Sequence, residues 1–306
     1  MWLVLAFVSA ALLGFYDASK KASLKDNAVL PVLFLNTLFS TVIFSPFLLD
    51  YIGGFGWFSN TFLDTAPFGH EAQTSTLRAH LMVVMKACIV LTSWICGYFG
   101  LKHIPLTIVG PINATRPVMV LVGAMLIFGE RLNLYQWIGV ILAMLSIFLM
   151  SRSSKKEDID FKSNRWIWCV ALAAITGAVS GLYDKYIMKS LSPMFVQSWF
   201  NFYQMLIMGL ICGLIWWPTR RRTTPFHWSW AIPLISIFIC LGDFSYFTSL
   251  SDPSSMISVV SLVRRSSVII SFACGVVIFK ERNLKAKIID LGLILIGMVF
   301  IWMGTR

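Results

Sequence analysis

The chain has 306 residues, of which 58% are apolar and 13% charged, with 12 Trp, 24 Phe and a mean hydropathy of +0.77. Soluble proteins run nearer about 45–50% apolar and about 25% charged, and a soluble chain of this length divides into two ordinary cores. Here the apolar residues come in long runs, which excludes a soluble enzyme, a secreted disulfide scaffold and a disordered chain, and leaves a polytopic membrane protein. The formal charge of +11 reads as lysines and arginines in loops facing anionic lipid or cytosol. Nucleic-acid binding is not expected, because no soluble domain is left to carry it.

About 20 apolar residues cross the hydrocarbon. Ten runs can each be drawn as a membrane helix, the first and fifth of them short: Met1–Asp17, Ala28–Asp50, His80–Leu101, Ile104–Phe128, Leu134–Met150, Trp166–Ile187, Pro193–Trp217, Trp228–Leu250, Pro253–Phe279 and Lys285–Gly304. Met1–Leu13 lacks a basic leader region and a cleavage site, and its sequence recurs later, so it is read as a retained helix. Trp57–His70 is read as a surface stretch or an ordinary loop. Cys88, Cys96, Cys169, Cys212, Cys240 and Cys274 all lie inside apolar runs without a CxxC spacing. His70, His80, His103 and His227 are scattered, so no metal site or cofactor is expected.

Ser151–Arg165 is the one long polar linker near the middle, and it separates residues 1–150 from residues 166–306. The two halves resemble each other. Gly14-Phe15-Tyr16-Asp17 returns as Gly181-Leu182-Tyr183-Asp184, and Ala10-xxx-Gly14 as Gly177-xxx-Gly181. Asn36 matches Asn201, while Tyr98-Phe99 and Pro105 match Tyr246-Phe247 and Pro253; the same register brings Arg116 onto Arg264. Ile127-Phe128-Gly129-Glu130-Arg131 corresponds to Ile278-Phe279-Lys280-Glu281-Arg282. Five helices per repeat is an odd number, so the copies insert upside down relative to each other and place a substrate site at the midplane between them.

With two five-helix halves, small residues in the first helix of each, and a Gly/Lys-Glu-Arg turn closing the fourth and ninth helices, the chain resembles the drug/metabolite transporter superfamily, in particular its ten-helix EamA-type members. The resemblance covers nearly the whole chain. It implies an all-α membrane protein, with helices one, three, four, six, eight and nine lining a central cavity, and transport by alternating access without ATP. Family activities run from amino-acid and drug export to exchange of nucleotide sugars and sugar phosphates.

Lys and Arg are distributed unevenly between the two sides of such a bundle. Sixteen, including Lys20, Lys21, Lys25 and Arg220-Arg221-Arg222, fall in the odd-to-even connections, and five on the opposite side: Arg78, Arg131, Lys185, Lys189 and Arg306. The positive-inside rule makes the crowded side cytoplasmic. Both termini of this plasma (inner) membrane protein then face outward, against the family's usual orientation.

Four basic residues fall well inside apolar runs: Lys86, Arg116, Arg264 and Arg265. A central arginine costs about 2.5–3.5 kcal/mol on the insertion scale, and three cost on the order of 8–10 kcal/mol, unless they face protein or a watery interior. Asp243 is the one acid deep in a run, with Asp17 and Asp184 near helix ends and already beside lysines. The excess of intramembrane cations predicts an anionic substrate, since the guanidinium fork suits phosphate or carboxylate; a structural ion-pair network is the alternative. The phosphate-translocator branch of the family is similar here, placing a basic residue in helix four and an adjacent basic pair in helix nine on substrate phosphate, although the rest of that branch's pattern is not evident.

Helical spacing puts Asn113 one turn before Arg116, and Ser261 one turn before Arg264 or Arg265. Lys86 shares a face with Ile89, Val90, Ser93 and Gly97, and Asp243 shares one with Tyr246. Tyr16 and Tyr183 are candidate walls or gates, and Asn36 and Asn201 either join helices or line the cavity. Glu130 and Glu281 are read as solvated partners of Arg131 and Arg282. Gly209-xxx-Gly213 is read as a close helix contact, either internal or in a homodimer; the chain is otherwise a monomer with lipid as its surroundings.

The leading function is a secondary transporter of a small organic anion, phosphorylated or carboxylated, with Asp243 the candidate for proton coupling. The alternatives are export of neutral or cationic metabolites such as amino acids or drugs, and flipping of a lipid-linked phosphate. An intramembrane enzyme is not expected, because no HExxH, GxSxG or paired catalytic carboxylates occur.

Overall fold

The computed structural model describes residues 1–24, 27–58, 76–103, 115–152, 165–220 and 224–267, with residue 112 and parts of 270–304 besides. Every regular element among them is a helix: α1 (Trp2–Leu24), α2 (Val29–Gly53), α3 (Leu77–His103), α4 (Arg116–Phe128), α5 (Leu134–Arg152), α6 (Arg165–Ile187), α7 (Pro193–Ile211), α8 (Ala231–Ser251) and α9 (Ile257–Arg265). A π-helical turn (Cys212–Trp216) and a final turn (Trp217–Thr219) prolong α7. Among the described residues α1, α2, α3, α6, α7 and α8 are each long and apolar enough to cross a membrane. This is an all-α membrane protein. The predicted tenth helix lies largely outside the described residues, as do the first part of the predicted fourth and the end of the ninth.

The largest change of boundary is in α1, which runs seven residues past the predicted end at Asp17, to Leu24. The segment Ala18-Ser19-Lys20-Lys21-Ala22-Ser23-Leu24 holds no Gly or Pro, and alanine and lysine are good helix formers, so loss of hydrophobicity alone did not end the helix. Asn27 manages the turn that follows. Its amide donates to Ser23 O (3.1 Å) and His227 O (2.6 Å), and its Oδ1 accepts from Ala28 N (2.8 Å) and His227 N (2.9 Å). Local capping also starts α5, where Asn133 Oδ1 accepts from Gln136 N (2.9 Å) and Gln136 Oε1 accepts from Asn133 N (3.0 Å), the reciprocal pairing of a capping box.

The chain forms two compact units: Met1–Cys88 with Tyr186–Pro253, and Ile89–Lys185 with Ser254–Arg306. Each unit draws on both halves of the sequence.

In the first unit α1 packs along α8, and α2 packs against α7 and α8. Ser9 Oγ donates to Gly242 O (2.7 Å), and a Cβ at Gly242 would stand 3.4 Å from Leu12 Cβ, so the glycine permits the close approach of α1. Tyr16, Val32, Ile232, Ile235 and Ile239 make an apolar cluster there, with Leu13, Leu24 and Phe226 packed on it. Polar side chains join the helices elsewhere: Ser236 Oγ donates to Asn36 Oδ1 (3.0 Å), and Thr41 Oγ1 to Asn201 O (2.9 Å). The Gly209-xxx-Gly213 spacing is used internally at its first glycine, where a Cβ would stand 3.3 Å from the Phe34 ring of α2; nothing lies within 4 Å of a Cβ at Gly213.

In the second unit the α4 and α3 backbones come close to α6. A Cβ at Gly123 would overlap Leu182, and one at Gly100 would overlap Val170. α4 stops at Gly129, whose φ of 65° is left-handed and open to glycine without the Cβ penalty other residues meet. α9 packs against α4 and α5.

Candidate functional site

Arg116, Arg264 and Arg265 all belong to the second unit, with Tyr183 and Ser261. Arg116 opens α4 and has a built seat. Its Nη2 donates to Ser93 Oγ on α3 (2.8 Å) and to Ala173 O on α6 (3.1 Å), and Ser93 Oγ itself donates to Ala173 O (2.8 Å). One turn beyond Ala173, a Cβ on Gly177 would overlap the guanidinium, so the group rests on bare α6 backbone. The small residue that the repeat aligns with Ala10 is therefore used differently here, making room for a cation from another helix. Ser93 and Ala173 offer oxygens that orient the guanidinium.

Arg264 and Arg265 occupy the last turn of α9. Ile257, Ser258, Val259, Val260, Leu262 and Val263 of this helix are buried, whereas Ser261, Arg264 and Arg265 are partly exposed. Those three positions are spaced i, i+3 and i+4 and so form one stripe. The sequence-predicted pairing of Ser261 with the arginines is thus a shared helix face. Tyr183 is partly buried on α6. Asn113, predicted beside Arg116, lies outside the described residues.

The other candidates belong to the first unit. Lys86 is 2% exposed, and its Nζ stands 4.4 Å from the ring centroids of both Phe200 (α7) and Phe247 (α8). Rings at this distance attract a cation through their negative faces. Tyr16 is buried in the apolar cluster of α1, α2 and α8, with Lys20 Nζ 5.6 Å from its ring centroid. Asn36 accepts from Ser236, and the Asn201 amide reaches Ser40 O (3.5 Å) and Cys240 Sγ (3.8 Å) while accepting from Gln197 Nε2 (3.4 Å). Both asparagines are therefore engaged between helices. Tyr246 is buried against Phe247 (ring centroids 5.4 Å apart), and Asp243 is partly buried on α8.

Two charged residues differ from expectation. Glu130, read as a solvated partner of Arg131, instead caps α9: its carboxylate accepts from Ile257 N (2.7 Å), Ser258 N (3.2 Å) and Ser258 Oγ (2.5 Å). Free amides at a helix start outcompete a neighbouring surface arginine for a carboxylate, because they are fixed in direction and backed by the helix dipole. Glu281 lies outside the described residues. Lys185, counted with the outer connections, is 6% exposed within α6, and its Nζ donates to Ser255 Oγ (2.5 Å).

Sequence reasoning also missed the contact of His80 Nδ1 with Tyr203 Oη (2.9 Å), against the edge-on Trp199 ring (centroids 4.5 Å apart). No local spacing announces a pairing between α3 and α7.

The chain matches the EamA-like transporter family over residues 1–152 and again over 164–303. An uncharacterized transporter of Archaeoglobus fulgidus is 24% identical over 288 residues, covering 92% of this chain and 90% of that protein. A solved crystal structure superposes with a TM-score of 0.71 at 13% identity, covering 99% of this chain and 97% of the other, which establishes likeness of fold. A helical membrane chain that matches this family in both halves is a membrane transporter, and the protein belongs to the EamA-like transporter family.

Proposed function

We propose that this transporter carries a small organic anion, phosphorylated or carboxylated, by alternating access without ATP. The observation that supports this most is the α9 stripe of Ser261, Arg264 and Arg265, the partly exposed side of an otherwise buried helix. Two guanidinium groups on one face inside an apolar run are expensive against lipid and well suited to a carboxylate or phosphate in a watery interior. Arg116, on the position that the repeat pairs with Arg264, adds a third cation in the same unit. The likeness of this triad to the phosphate-translocator pattern supports an anion site and names no particular substrate.

The test is thermal stabilisation of the detergent-purified protein by panels of phosphorylated, carboxylated, neutral and cationic metabolites. A ligand at 100 times its dissociation constant stabilises the fold by about 2.7 kcal/mol. The expected result is selective stabilisation by anions that disappears in Arg264→Gln. Stabilisation by neutral or cationic compounds that survives in Arg264→Gln would sink the anion reading and favour an exporter.

The lysine and arginine asymmetry supports an orientation with both termini outside the cytoplasm. A C-terminal alkaline phosphatase fusion in a bacterial host is expected to be active and a fluorescent-protein fusion dark. The opposite pair of results overturns this orientation.

A further inference from the structure

α9 carries the arginine pair but has no cap of its own, since the residue before it, Met256, offers no side-chain hydrogen bond to its free amides. The cap comes from elsewhere in the second unit. Glu130, just beyond α4, gives one carboxylate oxygen to Ile257 N and the other to Ser258 N and Ser258 Oγ. Three residues earlier than Ser258, Ser255 Oγ accepts from Lys185, near the C-terminal end of α6. Two side chains of opposite charge, one at the end of α6 and one just beyond α4, thus hold Ser255, Ile257 and Ser258. Charge-assisted bonds of this kind are about twice as strong as neutral ones, and a carboxylate at a helix start is further favoured by the dipole.

A helix is a stiff rod rising about 1.5 Å per residue, so its first turn governs the arginine positions about 9–10 Å along it. We infer that Glu130, assisted by Lys185, is a positioning residue of the anion site: it pins the first turn of α9 and thereby sets where Arg264 and Arg265 present their guanidinium groups. This inference rests on the anion reading of that stripe. Glu130 touches no substrate; it acts through α9. The left-handed turn at Gly129 directs the chain so that the residue leaving α4 reaches α9 rather than continuing its own helix.

The test uses the full-length protein in detergent, with inorganic phosphate and citrate as probe anions, and hydrogen–deuterium exchange on the same samples. Glu130→Gln keeps the side-chain volume but replaces one accepting oxygen with a donor. Amide exchange at Ile257 and Ser258 should accelerate about 10-fold or more as their bonds weaken, and the probe concentration needed for half-maximal thermal stabilisation should rise on the order of 10-fold. Ser258→Ala removes a single bond, folds more safely, and is expected to raise that concentration by roughly 3-fold. Glu130→Asp, which keeps the charge, should recover part of the lost affinity.

A merely structural cap would lower the melting temperature of the ligand-free protein and leave the stabilisation midpoint where it was. Wild-type protein stabilised by a probe, with the same midpoint in Glu130→Gln and Ser258→Ala, overturns the positioning role while the anion reading stands. Wild-type protein stabilised by neither anion overturns the anion reading at its root, and the positioning role with it. Unchanged exchange at Ile257 and Ser258 in Glu130→Gln overturns the cap itself.

Discussion

Replacing Gly177 by alanine is expected to unseat Arg116 and to impair the protein more than any other single-methyl change in the described residues. The added Cβ falls where the guanidinium lies against α6. The guanidinium would have to swing off α6, breaking its hydrogen bonds to Ser93 Oγ and Ala173 O at 2.8 and 3.1 Å. Overpacking typically costs about 1–3 kcal/mol, and the loss of charge-assisted hydrogen bonds adds about 1.5–3 kcal/mol, so a destabilisation of roughly 3 kcal/mol is a fair expectation. The distinctive part is the coupling. In an Arg116→Ala background nothing occupies the seat, and Gly177→Ala should then cost little beyond the effect of the first change. The double-mutant cycle, read from melting temperatures in one detergent, should give a coupling of about 2 kcal/mol. Additive effects would show that the guanidinium does not rest on Gly177.

The second large effect is expected at Lys86. Its side chain is almost fully buried, and its ammonium lies at 4.4 Å from two aromatic rings, Phe200 and Phe247. Lys86→Ala removes the cation and most of the volume together and leaves a cavity between α3, α7 and α8. By comparison with large-to-small core changes, this costs about 3 kcal/mol. Lys86→Met keeps nearly the same length and volume, and its thioether packs well against aromatic rings; it is expected to recover most of that loss, within about 1.5 kcal/mol of wild type. Melting temperatures of the two variants decide between packing and charge. If Lys86→Met is as unstable as Lys86→Ala, the positive charge itself holds the three helices together. If methionine restores stability, volume is what matters there.

The arginines divide by the same logic. Arg116 is built into a seat of three elements, so its replacement changes folding as well as charge. Arg264 and Arg265 lie on the partly exposed stripe of α9, away from the α6 seat that holds Arg116, which is why Arg264→Gln is the cleaner probe of anion binding. Losing affinity there without losing stability is the signature that separates a binding residue from a structural one.

How much of this was legible beforehand depends on the range of the interaction. Hydrophobic length is local, and the runs read as helices two, three, seven and eight correspond to α2, α3, α7 and α8 within a few residues. The end of α1 was less legible, because helix propensity carried it past the apolar run to the Asn27 turn. Spacing along one helix is also local, and it placed Ser261 on the face of Arg264 and Arg265 before any coordinates were needed. The capping box of Asn133 and Gln136 has the same character, since its partners are three residues apart.

What only the tertiary structure decided is which groups meet across helices. Arg116 reaches Ala173 over 57 residues, and Glu130 reaches Ile257 over 127. A glutamate followed by an arginine carries no mark of whether its carboxylate points to solvent or to the first turn of another helix, and a glycine in an apolar run carries none of what rests on it. The membrane class, the repeat and the intramembrane cations follow from the sequence, because transfer of side chains out of water is largely additive along the chain. The seat of Arg116, the clamp around Lys86 and the cap of α9 depend on where one helix meets another, and packing sets that only once the helices have assembled.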